Sequence, residues 1–334
     1  QEKKDYEIAG IAFYNVENLF DTENNPFTFD DDRTPEGKDA WTEEKYAEKL
    51  QNLARVISEI GTEVAGSPPM LIGICEIENR KVLEDLVNQE ALKTWNYDII
   101  HYDSPDRRGI DVALLYRKNL FRPIESQSRT LWLYENDKRV YTRDQLVVSG
   151  NLLGEKINLI VNHWPSRSGG EARSSFKREK AAALNRKIID SIFQREPYAK
   201  IITMGDFNDD PGNRSIKKIL GAAANRENVK FQGFYNPMAA MHRKGLGSLA
   251  YRDGWNLFDQ IIISSELLQP NYETFKYYKA GIFNPNYLLT PTGQFKGYPF
   301  RSYGMTGYEA GYSDHFPVYL YLIRHSQALE VTTN

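Results

Sequence analysis

Residues 201–209 read Ile-Ile-Thr-Met-Gly-Asp-Phe-Asn-Asp, an apolar β-branched run that ends abruptly in a polar turn. This pattern predicts a buried strand whose last side chains reach the rim of a sheet. Asp206 and Asn208 would lie on the same side of the extended chain. One could accept a proton or bind a cation, and the other could donate a hydrogen bond. The alternative is an ordinary Asx turn, because Asp and Asn form such turns in many loops.

Polar side chains stand at the start or end of five other predicted strands. They are Asn15, Glu76, His163, Asp259 and the pair Asp314-His315. Glu76 is the most informative, because burying a carboxylate in the apolar run from Leu71 to Ile77 is costly unless a charge or a metal pairs with it. Taken singly, Glu76 could reach water at a strand end, and His163 could be structural. Together these residues predict a single cleft at one rim of the sheets.

Helices alternate with the strands. Thr42 caps an amphipathic helix that Gly61 ends, and a second helix runs from the basic segment 166–187 to a point before Pro197. The arms 145–152 and 156–163 predict a hairpin. We therefore predict an α/β fold in which two sheets pack face to face with helices outside. We expect one domain over 1–334 with an ordered core of about 6–324, and long ordered loops in the aromatic-rich region 272–312.

The composition excludes several classes of protein. With 42 Lys and Arg against 45 Asp and Glu, the net charge is −3, so a site for a polyanion must be local. The arginines placed to contact an anion are Arg108, Arg167 and Arg173. The single cysteine, Cys75, cannot form an internal disulfide, and its apolar neighbours indicate burial. No apolar stretch approaches the roughly 20 residues that span a membrane, so we expect no stable membrane insertion.

The candidate side chains favour metal-assisted chemistry on phosphate. The sequence shows no thiol nucleophile, no Walker-type glycine loop and no zinc-like histidine pair. Carboxylates and amides instead favour a hard cation such as Mg²⁺, with Mn²⁺ or Ca²⁺ as alternatives. Histidines and acids beside such an ion could activate a water and steady a phosphate.

Six segments in chain order resemble the endonuclease/exonuclease/phosphatase superfamily, whose relatives include deoxyribonuclease I. They are Phe13-Tyr14-Asn15-Val16-Glu17-Asn18, Ile74-Cys75-Glu76, Asn162-His163-Trp164, Gly205-Asp206-Phe207-Asn208, Phe258-Asp259-Gln260-Ile261 and Ser313-Asp314-His315. The local sequences around Asn15 and His163 are most similar to those of the bacterial secreted-nuclease-like branch. The resemblance implies a four-layer αββα sandwich of two mostly antiparallel sheets, with a divalent metal in the cleft.

The resemblance also implies a role for each matched residue. Glu76 and Asn15 would hold Mg²⁺, which polarises a phosphoryl oxygen, and Asp314 would approach the same ion or a second one. His315 would be the general base on the attacking water, and Asp259 would orient it.

The remaining matched residues would act on the water and the phosphate. Asp206 would position the water, and Asn208 would donate to the transition state. His163 would donate to a phosphate oxygen and help the leaving group. Members of the family orient this histidine with an acid, and Asp111 is our candidate for that acid.

These expectations favour a Mg²⁺-dependent phosphodiesterase, most of all a nuclease acting on DNA or RNA. The alternatives are a phosphatase or a phospholipid, inositol or sugar phosphoesterase with the same site, and a binding module that has lost catalysis. We expect a monomer with no protein partner. Because the chain begins at Gln1 rather than Met, and because its segments resemble the secreted branch, we also expect a processed, periplasmic or secreted protein, with a cytoplasmic location as the alternative.

Overall fold

The computed structural model describes residues 5–305 and 307–326. Its first ten strands are β1 (Tyr6–Leu19), β2 (Leu71–Ile77), β3 (Tyr97–His101), β4 (Asp111–Arg117), β5 (Phe121–Arg129), β6 (Leu133–Glu135), β7 (Lys138–Val140), β8 (Gln145–Leu152), β9 (Glu155–His163) and β10 (Ile201–Asp206). The next nine are β11 (Ala222–Ala223), β12 (Phe234–Tyr235), β13 (Leu249–Tyr251), β14 (Gly254–Asn256), β15 (Asp259–Ser264), β16 (Lys276–Ile282), β17 (Tyr303–Gly304), β18 (Gly307–Tyr308) and β19 (Val318–His325).

The α-helices are α1 (Glu43–Glu59), α2 (Thr62–Ala65), α3 (Arg80–Val87), α4 (Glu171–Arg195) and α5 (Met238–Arg243). Helix α1 begins as the sequence predicts, because the Thr42 side chain accepts from the backbone N–H of Lys45. It ends before Gly61, whose φ of 69° suits glycine. A π-helical turn lies at Ser215–Leu220.

Two large sheets carry most of the strands. The first has the order β16-β19-β1-β2-β4-β3, and the second has the order β11-β12-β15-β10-β9-β8-β5. Most neighbours run antiparallel, whereas β1 with β2, β9 with β10 and the short β11 with β12 run parallel. The parallel pairs matter for function, because the carboxyl ends of parallel strands deliver their side chains to the same rim.

Three apolar clusters define four layers. One joins the facing sides of the two sheets and includes Phe13 and Cys75 from the first and Met204 and Ile261 from the second. Another packs the outer side of the first sheet against α1 and α3, and the third packs the second sheet against α4. The predicted αββα sandwich and the burial of Cys75 are confirmed.

The expectation of loops throughout 272–312 is wrong for part of that region. Strand β16 lies there and pairs with β19, with a register shift between Tyr277 and Lys279. Exposed side chains in the middle of this edge strand remove the alternation of apolar and polar residues that would have indicated it. No helix in the described part of the chain is both long and apolar enough to cross a bilayer.

Candidate active site

Three neighbouring strands of the second sheet place their last or first residues in one row. Asp206, at the end of β10, pairs with His163 on β9 and with Asp259 on β15. Residues that are Cα partners on adjacent strands stand about 5 Å apart, so the register alone brings these side chains together. All three are buried. The row forms the second sheet's side of the site.

Bulges in the first sheet supply the other side. The register between β1 and β2 shifts between Asn15 and Leu19, and Glu76 is the extra residue where β2 meets β4. Glu76 has a φ of 62°, a conformation that L side chains rarely adopt. Bulges of this kind re-aim side chains, and strained residues of this kind concentrate at functional sites. Asn15 links the sheets, because its amide donates to Asp206 Oδ2 at 3.1 Å.

His315 reaches the row from the loop before β19. Its Nδ1 lies 2.6 Å from Oδ2 of Asp259, which also accepts from the Ser248 hydroxyl at 2.5 Å. Burial opposes the charged imidazolium, but the charge and hydrogen bond of Asp259 and the charge of Asp206 outweigh it and raise the His315 pKa well above its usual value. The Asp259 contact fixes Nδ1 as the donor and leaves Nε2 for chemistry.

Asp206 forms the Asx turn that the sequence left open as an alternative, and it does so at the candidate site. Its Oδ1 accepts from the backbone N–H of Asn208 at 2.9 Å, which is an Asx turn. Burial, first, and the neighbouring carboxylates of Asp259 and Glu76 raise its pKa to about 7, against the pull of His315. Asn208 adopts a φ of 50°, and its amide donates to the Trp164 carbonyl at 2.9 Å. The turn therefore holds both side chains at the rim.

His163 is neutral in this site. Burial, followed by the charges of Arg143 and Arg108, lowers its pKa well below the usual value. Its Nε2 lies 3.6 Å from Asp206 Oδ2 and 3.8 Å from Glu76 Oε1. A neutral imidazole with Nε2 directed at these oxygens can donate one hydrogen bond into the cleft.

The expected pairing of Asp111 with His163 is wrong. Asp111 lies 2.9 Å from His101 Nε2 and accepts from the Ser104 hydroxyl and backbone N–H. Strands β3 and β4 are antiparallel neighbours whose register pairs His101 with Ala113, so His101 lies two positions along β4 from Asp111 and its side chain can reach that carboxylate. The Nδ1 atom of His163 has no hydrogen-bond partner among the residues that the structure describes.

The oxygen atoms around Glu76 fit a divalent cation. Glu76 Oε2 accepts from the Asn18 N–H, while Oε1 faces the cleft. The side-chain oxygen Oδ1 of Asn15, which accepts from the Glu17 N–H, keeps a second lone pair. Carboxylate and amide oxygens are the donors that Mg²⁺ and Ca²⁺ prefer.

A second candidate set, Asp206, Asp259 and His315, offers three ligand atoms within 4.8 Å of one another. Two of these residues already hydrogen-bond each other, so we regard the set as an acid-base unit rather than a metal centre. Asp314 is about one-third exposed, and its Oδ1 lies 4.0 Å from His315 Nε2.

Sequence reasoning missed a group of charges beside Asp314. Arg301 Nη2 lies 3.2 Å from Asp314 Oδ2 and 3.0 Å from Glu17 Oε1. The fully buried Lys49 donates to Ser302 Oγ and to the Tyr312 carbonyl, and desolvation lowers its pKa to about 8. A cavity of about 60 Å³ opens between these side chains. Glu17 could have been predicted from the sequence, since it stands two residues after Asn15 on the same strand. Nothing in the local sequence indicates Arg301.

A second missed residue, Arg143, ties the site to the loop that carries Arg108. It is buried and donates to Asp106 Oδ2 at 3.0 Å and to the Trp164 carbonyl at 2.6 Å. Asp106 in turn accepts from the Arg108 N–H. Arg108 is half exposed and close enough to lower the pKa of His163, so its position suits the expected contact with substrate.

Arg167 and Arg173 differ in their surroundings. Arg167 stacks on Phe258 and donates to the Asn208 carbonyl, and its ion pairs include Asp209 and Asp210. Because its charge is already matched, this arrangement argues against the expected anion-binding role and favours positioning of Asn208. Arg173 is exposed in the first turn of α4, where its charge still affects Glu135.

Comparison with known proteins places the chain in a family. The sequence profile of the Endonuclease/Exonuclease/phosphatase family matches residues 10–324. No curated protein sequence matches the chain significantly.

Among solved structures, a humanized D. rerio TDP2 superposes with a TM-score of 0.57 at 14% identity, covering 95% of this chain and 99% of that one. The mannosyl-6-phosphatase Bt3783 of Bacteroides thetaiotaomicron gives 0.55 at 18% identity, covering 94% and 99%. The human Nocturnin catalytic domain gives 0.54 at 14%, covering 97% and 98%. On the family profile and the shared fold, the chain belongs to the Endonuclease/Exonuclease/phosphatase family, whose members are phosphoester-hydrolysing enzymes.

Proposed function

We propose that the protein is a Mg²⁺-dependent phosphodiesterase that cleaves nucleic acid by attack of water. The observation that carries the proposal is the row of His163, Asp206 and Asp259 on adjacent strands, facing His315 and Glu76 across the cleft. This set contains an acid-base pair, a neutral hydrogen-bond donor and oxygen ligands for a cation. Phosphodiester hydrolysis needs each of these groups.

Each residue then has a specific task in the hydrolysis. Glu76 and Asn15, with Asp314 nearby, would hold the ion, which when bound polarises the phosphoryl oxygen. His315 accepts a proton from the attacking water at Nε2 while its Nδ1–H stays bonded to Asp259. The raised pKa of His315 favours its protonated form. To act as a base, His315 therefore requires that positive charge in the cleft offset the negative charge of Asp206 and Asp314.

The second sheet contributes the remaining groups. Asp206 orients the water. Because the pKa of its buried carboxyl group is about 7, this group is partly ionised at neutral pH and can also accept a proton from the water. Neutral His163 donates to a phosphate oxygen, and the free N–H of the Asn208 amide donates to the transition state. Arg108 adds a charge for a phosphate at the rim.

Two observations bear on the choice of substrate. A D. rerio TDP2 structure, similar at 13% identity with a TM-score of 0.55, contains a single strand DNA product. That likeness and the half-exposed Arg108 beside the site favour nucleic acid. A second candidate function is hydrolysis of a small phosphomonoester, which the net charge of −3 and the similarity to the mannosyl-6-phosphatase favour.

The test is incubation of the purified protein with Mg²⁺ and end-labelled single- and double-stranded DNA and RNA, beside mannose 6-phosphate. We expect cleavage of at least one nucleic acid, and loss of it with EDTA and in His315→Ala. If every nucleic acid stays intact while the sugar phosphate is hydrolysed, the nuclease proposal fails and the phosphatase replaces it.

A further inference from the structure

The small hairpin of β6 and β7 exposes aromatic side chains. Trp132 is 62% exposed, Tyr134 54% and Tyr141 40%. Soluble proteins rarely present several large aromatics together on one short element unless they bind something. Leu133, which is 1% exposed within the core against α4, anchors the hairpin to the protein, and the aromatic rings remain on its outer side.

Arginines interleave with these rings to form a ladder. The Arg139 guanidinium lies 4.1 Å from the Trp132 ring centroid and 4.6 Å from that of Tyr141. The Arg107 guanidinium lies 5.5 Å from the Tyr141 ring centroid. We call Trp132, Arg139, Tyr141 and Arg107 the aromatic-arginine ladder.

The charges of the ladder are not matched by carboxylates. Within residues 5–305 and 307–326, neither Arg139 nor Arg107 has a carboxylate oxygen within 4.0 Å. The Nε of Arg139 is buried between the rings without a hydrogen-bond partner. Unmatched guanidinium groups held between aromatic faces are well placed to bind phosphate while bases stack on the rings.

The ladder lies next to the active site. Tyr141 is two residues from Arg143, a distance of at most about 7 Å along an extended chain. Arg143 bonds to the carbonyl of Trp164, the residue after His163. Arg107 precedes Arg108, whose charge reaches His163. A nucleic-acid strand that lies along the ladder would therefore enter the cleft beside His163.

We propose that the aromatic-arginine ladder binds single-stranded nucleic acid and guides it to the active site. Bases stack on Trp132 and on the neighbouring Tyr134, and phosphates bind Arg139 and Arg107. Single strands fit this surface because their base faces are free, whereas those of a duplex are stacked on one another. The cations distinguish the ladder from a platform for neutral sugars, which would need aromatic faces alone.

The proposal deepens the proposed function but is tested separately by binding. A fluorescein-labelled thymidine oligonucleotide of about 15 nucleotides is titrated with protein in EDTA, and anisotropy gives the Kd. We expect Trp132→Ala to weaken binding on the order of tenfold, through loss of one stacked base. The double variant Arg107→Ala/Arg139→Ala should lower the slope of log K against log salt by about 1.4, at roughly 0.7 for each phosphate that is no longer neutralised.

Tyr198→Ala is the matched control, since Tyr198 is 70% exposed but lies before β10, at the end away from Asp206. It should leave the Kd unchanged. With Mg²⁺, Trp132→Ala should lower kcat/KM on the oligonucleotide about tenfold more than on bis-p-nitrophenyl phosphate, which is too small to reach the ladder.

The results separate the two proposals. Wild-type binding that Trp132→Ala weakens and Tyr198→Ala does not supports the ladder, even if no nucleic acid is cleaved. An oligonucleotide that fails to bind the wild type, or that binds Trp132→Ala as tightly, overturns the ladder while leaving hydrolysis of small phosphodiesters intact. Tighter binding of a duplex than of the single strand would also overturn it.

Discussion

The hydrogen bond between His315 and Asp259 predicts that the two side chains act as one unit. Asp259 is fully buried, and its Oδ2 accepts from both His315 Nδ1 and Ser248 Oγ. Asp259→Asn keeps the shape of the side chain but removes its charge and lets an amide N–H face Nδ1. The imidazole then loses the tautomer that leaves Nε2 free, so we expect kcat to fall about 10²- to 10⁴-fold.

A double-mutant cycle tests the unit quantitatively. If Asp259→Asn and His315→Ala each cost about 10³-fold, the two effects correspond to about 4 kcal/mol each, at about 1.4 kcal/mol for each factor of ten. Independent residues would give about 8 kcal/mol in the double variant. Because Asp259 works through His315, we expect the double variant to lose no more than His315→Ala alone.

The assay is steady-state hydrolysis of bis-p-nitrophenyl phosphate at saturating Mg²⁺. Far-UV circular dichroism of each variant checks that the fold is retained. Ser248→Ala serves as a comparison, since it removes one donor to Asp259 but keeps the charge, and should cost less than Asp259→Asn. Additive losses in the double variant would refute the argument and assign Asp259 a task of its own.

Other contacts give three further predictions. Burial, then the charges of Asp21 and Asp30, raises the Glu78 pKa to about 8, so the contribution of Glu78 to stability is lost as the pH rises toward 8. Urea unfolding at pH 9 should therefore show Glu78→Gln about 3 kcal/mol more stable than wild type. A smaller gain in stability at pH 9 than at pH 5 would contradict this. Arg143→Met should lower the unfolding free energy by about 3 kcal/mol, because Asp106 stays buried with only the longer contact to the half-exposed Arg108. Asp106→Asn in the same background should recover part of this loss, and no recovery would disprove the pairing. Glu76→Gln should weaken Mg²⁺ binding in calorimetric titration on the order of 100-fold, and an unchanged Kd would remove Glu76 from the metal site.

Local signals explain what the sequence could predict. The Thr42 cap, the run before Asp206 and the hairpin ending at His163 depend on near neighbours in the chain, and each is present in the structure. The strand ends also indicated which side chains would meet, because parallel neighbours deliver them to one rim.

Long-range contacts explain what the sequence could not predict. Arg301 and Glu17 are 284 residues apart, and the loop that carries Arg301 has no periodicity to place it. The partner of Asp111 is not predictable locally, because the choice between His101 and His163 depends on strand order, which no single strand encodes. The bulge at Glu76 likewise has no local signal, although the cost of burying its carboxylate correctly indicates that this residue is special.

The most direct test of the account is hydrolysis of bis-p-nitrophenyl phosphate beside p-nitrophenyl phosphate, with Mg²⁺ and with EDTA. Wild type and His315→Ala are compared under the same conditions. The account predicts cleavage of the diester in preference to the monoester, abolished by EDTA and reduced at least about 10²-fold in His315→Ala. Diester cleavage that persists in EDTA or in His315→Ala would contradict it.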